Sequence, residues 1–532
     1  MDCNFSFHYR ESIRNSKLYR VFSTLRGDSY KKLSKLPPAV VIEESEDWAK
    51  EARTALKHSR CIRSYVILKP STSKPVWKLT YTLKNSIYVQ DKLTTGASNS
   101  LLTHYPPFSS TVYKLLEEGG AIKLYSSSLD EFGMGSLGLF GNKGIVRNPH
   151  SPRRVCGGSS SGSAYLISKK LVDFAIGTDT GGSARTPASY NSIYGFKPSY
   201  GAVSREGILP LTTLLDTPAV LSNSVDIISR VFSVISAPDL YDMTTWKTKK
   251  IEYRKCAIEP YRELQKPLRF ALQKGVKVRF LVLKEVMDYP QRSLSQQESQ
   301  IRKSFLNLVS RLKCTPDCEI LTDSIEWPPI LLAELVYKII AYSELVTHYL
   351  SLNSILVPWD KEQERRVKLQ NREKRGSEYI KRLKVESSYI DKAAEVRARF
   401  GDEVKIRHLI GYFFLYRSNY EKIYLQARKI VTLYFEKMSQ ILSRGGILLA
   451  PATNNIAPLI ESSSTDYVTD IAQSILLLAN FAGTPSISIP WLHFKVRKSL
   501  ETVYIGLHLT CKSREDRYLL SAVSYLERNK LL

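Results

Sequence analysis

The sequence predicts an α/β protein. From about residue 64 to 235, helix-like and strand-like segments alternate along the chain, which is the order that builds a layered α/β fold. The chain has 532 residues with 43% hydrophobic content, enough for a large buried core. Length alone would allow more than one domain, and no repeat of solenoid period is present.

The individual elements follow from short stretches in chain order. Residues 42–58 (IEESEDWAKEARTALKH) predict a helix, and residues 109–125 (SSTVYKLLEEGGAIKLY) predict a helix, a stop at paired glycines and a strand. Residues 163–180 (SAYLISKKLVDFAIGTDT) predict a helix and then a strand that ends at a glycine-rich turn. The later predictions are a helix over 403–443 and strands over 446–451 and 502–509.

The N-terminus has its own composition. Residues 1–35 contain eight Lys or Arg against three acidic residues, together with several serines. This predicts a basic N-terminal arm that resembles a mitochondrial transit peptide, so the expected location is the mitochondrial matrix. The alternative is an ordinary basic N-terminus on a cytoplasmic protein. Residues 36–532 are then expected to hold the catalytic or binding domain.

The chain is strongly basic, with a formal net charge of +26. Such a surplus favours attraction to polyanions such as tRNA or anionic membranes, or reflects a compartment rich in basic proteins. Residues 361–384 contain ten basic and four acidic residues and predict a basic helical insert around 360–400. Its face is either solvated or bound to RNA.

Cysteine usage and hydropathy exclude several classes. The seven cysteines form no disulfide framework, which indicates a reducing compartment. Cys314 and Cys318 lack a second Cys/His pair, so no metal site is expected. Residues 471–494 carry no charge, but Pro485 and Pro490 favour a buried helix, a turn and a strand over a membrane span.

Residues 156–198 contain two turns rich in serine and glycine, on either side of a predicted helix and strand. Such turns can direct backbone N–H groups at a phosphate or at an oxyanion. Neither turn has the G-x-x-x-x-G-K-[ST] pattern of a P-loop. A G-x-S-x-G motif with downstream Asp and His is not evident either.

The two turns and their surroundings resemble the amidase signature family. The matching segments are LKNSI with TTGAS, GGSSSGSA, GTDTGGSARTPAS and YGFKPSYGAVSREGILP, in that order, and the resemblance extends over roughly residues 75–528. It implies hydrolysis of a carboxamide. It also implies the amidase signature fold, a large mixed β-sheet core covered by α-helices, over residues 36–532.

The resemblance implies a Ser-Ser-Lys catalytic triad, with Ser183 as nucleophile, Ser159 as bridge and Lys84 as base. A serine hydroxyl is a poor nucleophile until a base removes its proton, and lysine can act as a base only when burial keeps it neutral. Taken singly, Lys84 would be interpreted as a surface lysine and the serines as turn or cap residues. No metal is involved in this chemistry.

The turn before the nucleophile implies an oxyanion hole formed by the backbone N–H groups of Thr180, Gly181 and Gly182. The segment around the base departs from the family pattern, because Asn85 and Ser86 follow Lys84 where Asp and Asn are frequent. These departures concern the groups that support the triad.

Within the family, the segments LDEFGMGS, NKGIVRNP and PDLYDMTT resemble the glutaminase subunits of tRNA-dependent amidotransferases. This implies that glutamine is the substrate and that the chain itself holds no cofactor. The implied partners are a B-type subunit, which uses ATP and magnesium to activate Glu-tRNA(Gln), and a small C-type or equivalent subunit.

The same resemblance implies three glutamine-binding residues. Arg407, in GDEVKIRHLIGYFFL, offers a guanidinium to the α-carboxylate. Asp470 is the candidate for the α-ammonium, with Gln473 competing for the position, and Tyr337 is a candidate pocket residue. Two other functions stay open: a stand-alone amidase acting on fatty or aryl amides, and a catalytically weak scaffold that binds tRNA or a partner.

Overall fold

The structure is a computed structural model and describes residues 39–44, 76–245, 277–288, 295–355, 394–461, 471–496 and 501–531. The predicted arm (1–35) lies outside these ranges. So does most of the predicted basic insert around 360–400.

The described strands form one mixed sheet, in the order β1-β3-β2-β4-β6-β5-β10-β11-β9-β7-β8. Their bounds are β1 Val41–Glu44, β2 Thr80–Lys84, β3 Ile122–Ser127, β4 Phe174–Asp179, β5 Tyr194–Lys197, β6 Thr217–Ser222, β7 Val278–Leu283, β8 Cys318–Asp323, β9 Ile447–Pro451, β10 Ser486–Lys495 and β11 Thr502–Thr510. Strand β2 runs parallel to both β3 and β4, whereas β4 runs antiparallel to β6. The α/β class and the mixed sheet are as predicted.

Helices cover this sheet. Their bounds are α1 Thr111–Glu118, α2 Ser161–Ser168, α3 Arg185–Tyr190, α4 Val225–Ile235, α5 Lys284–Met287, α6 Gln296–Cys314, α7 Leu332–Ile355, α8 Asp402–Leu415, α9 Arg417–Asn419, α10 Leu425–Ser443, α11 Ile471–Phe481 and α12 Asp516–Arg528. In the described part of the chain, no helix is both long and apolar enough to cross a membrane. The uncharged stretch 471–494 instead forms α11, a turn and β10.

Local chemistry explains where α1 begins and ends. The Ser110 hydroxyl accepts a hydrogen bond from the backbone N–H of Tyr113 at 3.3 Å, which caps the first turn. The helix ends at Gly119, and Gly120 follows with φ +82°, a left-handed conformation that glycine adopts without strain. The chain then enters β3, as the sequence predicted.

Two predicted helices differ from the structure. Residues Val41–Glu44 pair with β3 as an edge strand, so the helix predicted from residue 42 is wrong there because strand pairing overrides local helix propensity. The helix predicted over 403–443 breaks after Leu415. Tyr416 has an extended ψ of 138°, and the Asn419 amide donates to the Phe413 carbonyl at 2.9 Å, which satisfies a helix-end acceptor.

The parallel pairing of β2 with β4 positions the site. Because parallel neighbours run in the same direction, their carboxyl ends meet at one edge of the sheet. Leu83 pairs with Ile176, so Lys84 at the end of β2 lies beside the last residues of β4. Both strands are central and covered on both faces, so side chains at this edge are buried.

Candidate active site

Lys84 is the last residue of β2 and has no exposed surface. Its Nζ atom lies 2.7 Å from Ser159 Oγ and 2.7 Å from Thr178 Oγ1, within hydrogen-bonding distance of both. The structure therefore brings together two of the three residues predicted for the triad. It adds Thr178, a contact that the sequence did not indicate.

Burial sets the ionisation of Lys84. Loss of solvation lowers its pKa from 10.5 to about 8, although the negative charges of Asp130, Asp179 and Asp216 act in the opposite direction. With a pKa of about 8, Lys84 is neutral in roughly one-tenth of the molecules at pH 7. A neutral amine in contact with a serine hydroxyl can accept its proton.

Ser159 lies in the turn that precedes α2, and the peptide bond before it is cis. Its side chain is almost fully buried, and its carbonyl accepts a hydrogen bond from the Asp130 backbone at 3.2 Å. The Asp130 carboxylate in turn accepts the backbone N–H groups of Gly138 and Phe140. A Cβ at Gly158 would lie 2.0 Å from the Asp130 carboxylate. Only glycine therefore permits this packing of the two loops.

Ser183 lies in the turn between β4 and α3 and is half-buried. Its carbonyl accepts a hydrogen bond from Ser160 N at 3.1 Å, which joins the two serine turns. Among the described residues, the Ser183 hydroxyl makes no hydrogen bond. It is not joined to Ser159 Oγ in this conformation, so the structure places the third predicted residue beside the Lys84–Ser159 pair without closing the contact.

The backbone of this turn is held from below by Asp179. The Asp179 carboxylate accepts the N–H groups of Gly182 at 2.9 Å and of Ala184 at 3.2 Å. The Gly182 N–H is therefore occupied in this conformation, and its place in an oxyanion hole stays a prediction. The backbone N–H groups of Thr180 and Gly181 make no hydrogen bond to the described residues and stay available as donors.

A buried ion pair fixes Asp179. Arg185 Nη2 lies 2.8 Å from Asp179 Oδ1, and neither side chain has exposed surface. Arg185 also donates to the Leu476 carbonyl at 3.1 Å and to Asn480 Oδ1 at 2.6 Å. Burial alone would raise the pKa of Asp179, but the Arg185 charge and hydrogen bonds hold it well below its ordinary value. The pair stays ionised and rigid beneath the Ser183 turn.

A second carboxylate fixes the other side of the turn. Thr180 Oγ1 donates to Asp216 Oδ1 at 2.7 Å, and the other Asp216 oxygen accepts the N–H groups of Leu211 and Thr212 at 2.7 and 2.9 Å. Asp216 was missed at the sequence level. It follows Leu214 and Leu215, and no pattern in the sequence reveals which turn this aspartate contacts.

Arg407 lies on α8 with only 6% of its surface exposed. Its guanidinium contacts Glu403 Oε1 at 2.7 and 2.8 Å and lies 5.1 Å from the centre of the Tyr342 ring. Its positive charge lowers the pKa of the buried Asp130, against the larger effect of burial. Arg407 is thus close enough to the site to act on it electrostatically. In this structure, however, its guanidinium is paired with Glu403 of the same helix.

Tyr337 and Asp470 are the other two residues predicted to bind the substrate. Tyr337 covers the Ser183 turn, because a Cβ at Gly181 would lie 2.9 Å from its ring carbons. Asp470 lies outside the described residues. Gln473, the competing candidate, donates from Nε2 to the Gly181 carbonyl at 2.8 Å, so it contacts the same turn.

A pocket of about 220 Å³ adjoins the site. Its lining includes Thr178 and Asp216, together with Arg205, Tyr241 and Asp242. Thr178 is therefore shared between the pocket and the Lys84 contact. Among the described residues, no group of three or more His, Cys, Asp or Glu side chains is arranged to hold a metal ion.

The mixed sheet, the buried lysine at its edge and the two serine-rich turns are the arrangement expected of an amidase. The sequence profile of the amidase family matches residues 53–520, and the chain belongs to that family. The predicted fold and the predicted family are both confirmed.

Relatives within the family include one subunit of an enzyme that acts on tRNA. The chain is 31% identical over 487 residues to the A-type subunit of glutamyl-tRNA(Gln) amidotransferase from Mycoplasma genitalium, covering 90% of this chain and 92% of the relative. The crystal structure of the same subunit from Thermotoga maritima is 26% identical and superposes with a TM-score of 0.63, covering 85% and 83% of the two chains.

Other amidases share the fold equally well. The peptide amidase of Stenotrophomonas maltophilia is 21% identical and superposes with a TM-score of 0.65, covering 94% of this chain and 92% of that one. The fold is therefore common to the two kinds of enzyme and does not by itself separate them.

Proposed function

We propose that the chain is the glutamine-hydrolysing subunit of a glutamyl-tRNA(Gln) amidotransferase, releasing ammonia for the conversion of Glu-tRNA(Gln) to Gln-tRNA(Gln). The observation that carries the chemistry is the 2.7 Å contact between Lys84 Nζ and Ser159 Oγ beside the Ser183 turn. Support for the particular substrate comes from the 31% identity, over nearly the whole chain, to the A-type subunit of that enzyme.

In the proposed mechanism, neutral Lys84 accepts the Ser159 proton while Ser159 accepts the Ser183 proton, once the Ser183 hydroxyl has turned towards Ser159. The Ser183 Oγ then attacks the carboxamide carbon. The backbone N–H groups of Thr180 and Gly181 receive the oxyanion, a role in which one lost donor costs about 100- to 1,000-fold in rate. Collapse of the intermediate breaks the C–N bond, and the proton held by Lys84 returns through Ser159 to the leaving ammonia.

The second half of the reaction reverses these roles. Ser183 now carries the γ-glutamyl group as an ester, and Lys84 is neutral again. Water attacks the ester carbonyl while its proton passes through Ser159 to Lys84. The C–O bond to Ser183 breaks, the Ser183 oxygen takes a proton back along the same path, and glutamate leaves. No cofactor in this chain is needed for either half.

Glutamine recognition is assigned to Arg407, Tyr337 and the segment with Asp470. Arg407 offers the α-carboxylate a planar pair of donors, but it must first share or leave its contact with Glu403. Tyr337 covers the site from above Gly181. Asp470, or Gln473 in its place, is assigned to the α-ammonium.

The proposed partners receive the ammonia. They are a B-type subunit, which uses ATP and magnesium to activate Glu-tRNA(Gln), and a small C-type or equivalent subunit. The pocket beside Thr178 is consistent with this proposal, since Thr178 contacts Lys84 and also lines the pocket. We place the complex in the mitochondrial matrix on the composition of residues 1–35, with the cytoplasm as the alternative.

The test of this proposal compares two nitrogen donors in the reconstituted complex. Gln-tRNA(Gln) formation is measured with glutamine and with ammonium, for the wild type and for Arg407→Ala. We expect Arg407→Ala to impair the use of glutamine and to spare the use of ammonium, because ammonium bypasses the Ser183 site.

Equal loss with both donors would assign Arg407 to folding or assembly. Turnover of long-chain or aryl amides without any of glutamine would instead establish a stand-alone amidase. Complex formation and tRNA binding without hydrolysis of any amide would establish the scaffold alternative.

A further inference from the structure

Glu131 is a buried carboxylate that the proposed mechanism does not use. Only 4% of its surface is exposed. Its Oε1 atom accepts the Ser98 hydroxyl at 2.5 Å, and its Oε2 atom accepts the backbone N–H of Gly401 at 2.8 Å. Burial raises the pKa of Glu131 to about 7, whereas Ser98, Gly401 and Lys405 lower it and Asp402 raises it. Burying an ionisable carboxyl group costs folding free energy, so such a group usually has a specific role.

The Gly401 contact places the carboxylate at the start of the helix that carries Arg407. Gly401 is the residue that caps α8, and its N–H is one of the helix-end donors that need a partner. A Cβ at Gly401 would lie 2.4 Å from Glu131 Oε2, so glycine is needed for this close approach. Arg407 follows about 9 Å further along the helix axis at 1.5 Å per residue.

Aromatic packing strengthens the same junction. Phe132, the next residue, contacts the rings of Tyr349 at 4.3 Å and Phe400 at 5.8 Å between centroids. Phe400 also contacts His408 of α8 at 5.3 Å. The loop that holds Glu131 is therefore joined to α8 by a polar contact and by buried rings.

The other end of this loop holds the catalytic bridge. Asp130, directly before Glu131, donates its backbone N–H to the Ser159 carbonyl. A Cβ at Gly133, two residues after Glu131, would lie 3.6 Å from Ser159 Oγ and 4.0 Å from Lys84 Nζ. One short loop thus contacts Ser159 on one side and the start of α8 on the other.

We propose that Glu131 is a positioning residue that sets Arg407 at the correct distance from the Ser183 site by holding the start of α8 against the loop that contacts Ser159. Its carboxylate does not contact the substrate. It determines specificity, because only a substrate with an α-carboxylate uses Arg407. This inference rests on the proposed function, in which that carboxylate belongs to glutamine.

The experiment separates recognition from nucleophile reactivity in the full-length chain, assembled with its partner subunits. A fluorophosphonate probe without an α-carboxylate labels the reactive serine, and glutamine is added to protect it. For Glu131→Gln we expect a labelling rate within about threefold of the wild type. We expect the glutamine concentration that gives half-protection to rise about tenfold or more, as for loss of a charge-assisted hydrogen bond.

Two further variants make the result specific. Gly401→Ala disturbs the same contact from the helix side and should raise the half-protecting glutamine concentration in the same way. It also replaces Glu131→Gln if that variant does not fold. Glu285→Gln is the matched control, because Glu285 also accepts one serine hydroxyl and one backbone N–H but lies at the far edge of the sheet. It should change neither quantity.

Wild-type protection by glutamine in both Glu131→Gln and Gly401→Ala would overturn the inference. So would equal losses of labelling and protection, which would indicate a general structural role. If glutamine fails to protect the wild type itself, the glutamine assignment is overturned, and that outcome is distinct because it appears without any substitution.

Discussion

The Nζ atom of Lys84 lies as close to Thr178 Oγ1 as to Ser159 Oγ, at 2.7 Å from each. The threonine belongs to β4, which runs parallel to the strand that ends at Lys84. A lysine held by two hydroxyls on different segments cannot turn away from either without losing a contact. Thr178 therefore fixes the direction in which the amine faces Ser159.

Thr178→Val should lower the maximal rate of amide hydrolysis about tenfold, the order expected for one lost hydrogen bond that orients a reacting group. The removed oxygen also accepts from the charged amine, so the ascending limb of the pH profile should move to lower pH. The measurement is kcat/KM against pH. Thr322→Val on the distant strand β8 is the control, and an unchanged rate and limb in Thr178→Val would contradict the assignment.

The pH profile of the wild type should report Lys84. Burial lowers its pKa to about 8, and only the neutral amine acts as a base. The value of kcat/KM should therefore rise with pH up to about 8 and then level off. Lys197 is a second fully buried lysine, with a pKa lowered by burial to about 7. In Lys197→Met the ascending limb of the pH profile should stay near pH 8. A limb that shifts in this variant would show that Lys197, and not Lys84, is the base.

Lys84→Met should abolish hydrolysis and raise the melting temperature at pH 7. The unfolded chain keeps the lysine proton up to about pH 10.5, whereas the folded chain loses it near 8. The unfolded state therefore binds more protons between these values, and wild-type stability rises with pH across that window. Below pH 8 the buried charge costs on the order of 3 kcal/mol, partly offset by its two hydrogen bonds.

Differential scanning fluorimetry at pH 7 and pH 9 checks this prediction. The advantage of Lys84→Met over the wild type should shrink at the higher pH. A variant that is less stable than the wild type at pH 7 would show that the hydrogen bonds to Ser159 and Thr178 outweigh desolvation.

Asp179→Asn should destabilise the protein and abolish activity together. It leaves the Arg185 charge buried without its partner, which typically costs about 3–5 kcal/mol, and it weakens the acceptor for the Gly182 and Ala184 N–H groups. The control is Glu319→Gln, which breaks the exposed Arg279–Glu319 pair of the same 2.8 Å length. That change should cost less than about 1 kcal/mol. Equal melting temperatures for the two variants would contradict the prediction.

The sequence was sufficient for the fold class and for the family. Ordered motifs predicted Lys84, Ser159 and Ser183, and the structure brings the first two into contact. Thr178, Asp130 and Asp216 could not be assigned, because their roles depend on which strand ends and loops meet in three dimensions.

Glu403 and Arg407 stand four residues apart, the spacing at which helical side chains pair, and the structure forms that pair. The helix expected from residue 42 is partly a strand because pairing with β3 decides its conformation. The Gly182 N–H donates to Asp179 because the fold places that carboxylate beneath the turn, which the sequence does not reveal.

The most direct test of the account is glutamate release from glutamine by the assembled complex, for the wild type and for Ser183→Ala. Removing a nucleophile typically costs several orders of magnitude in kcat, so we expect no more than about 0.1% of wild-type turnover. Ammonium-supported formation of Gln-tRNA(Gln) by the same variant should stay at the wild-type level, which shows that folding and assembly are intact. Retention of more than a few per cent of glutamine turnover by Ser183→Ala would contradict the central claim.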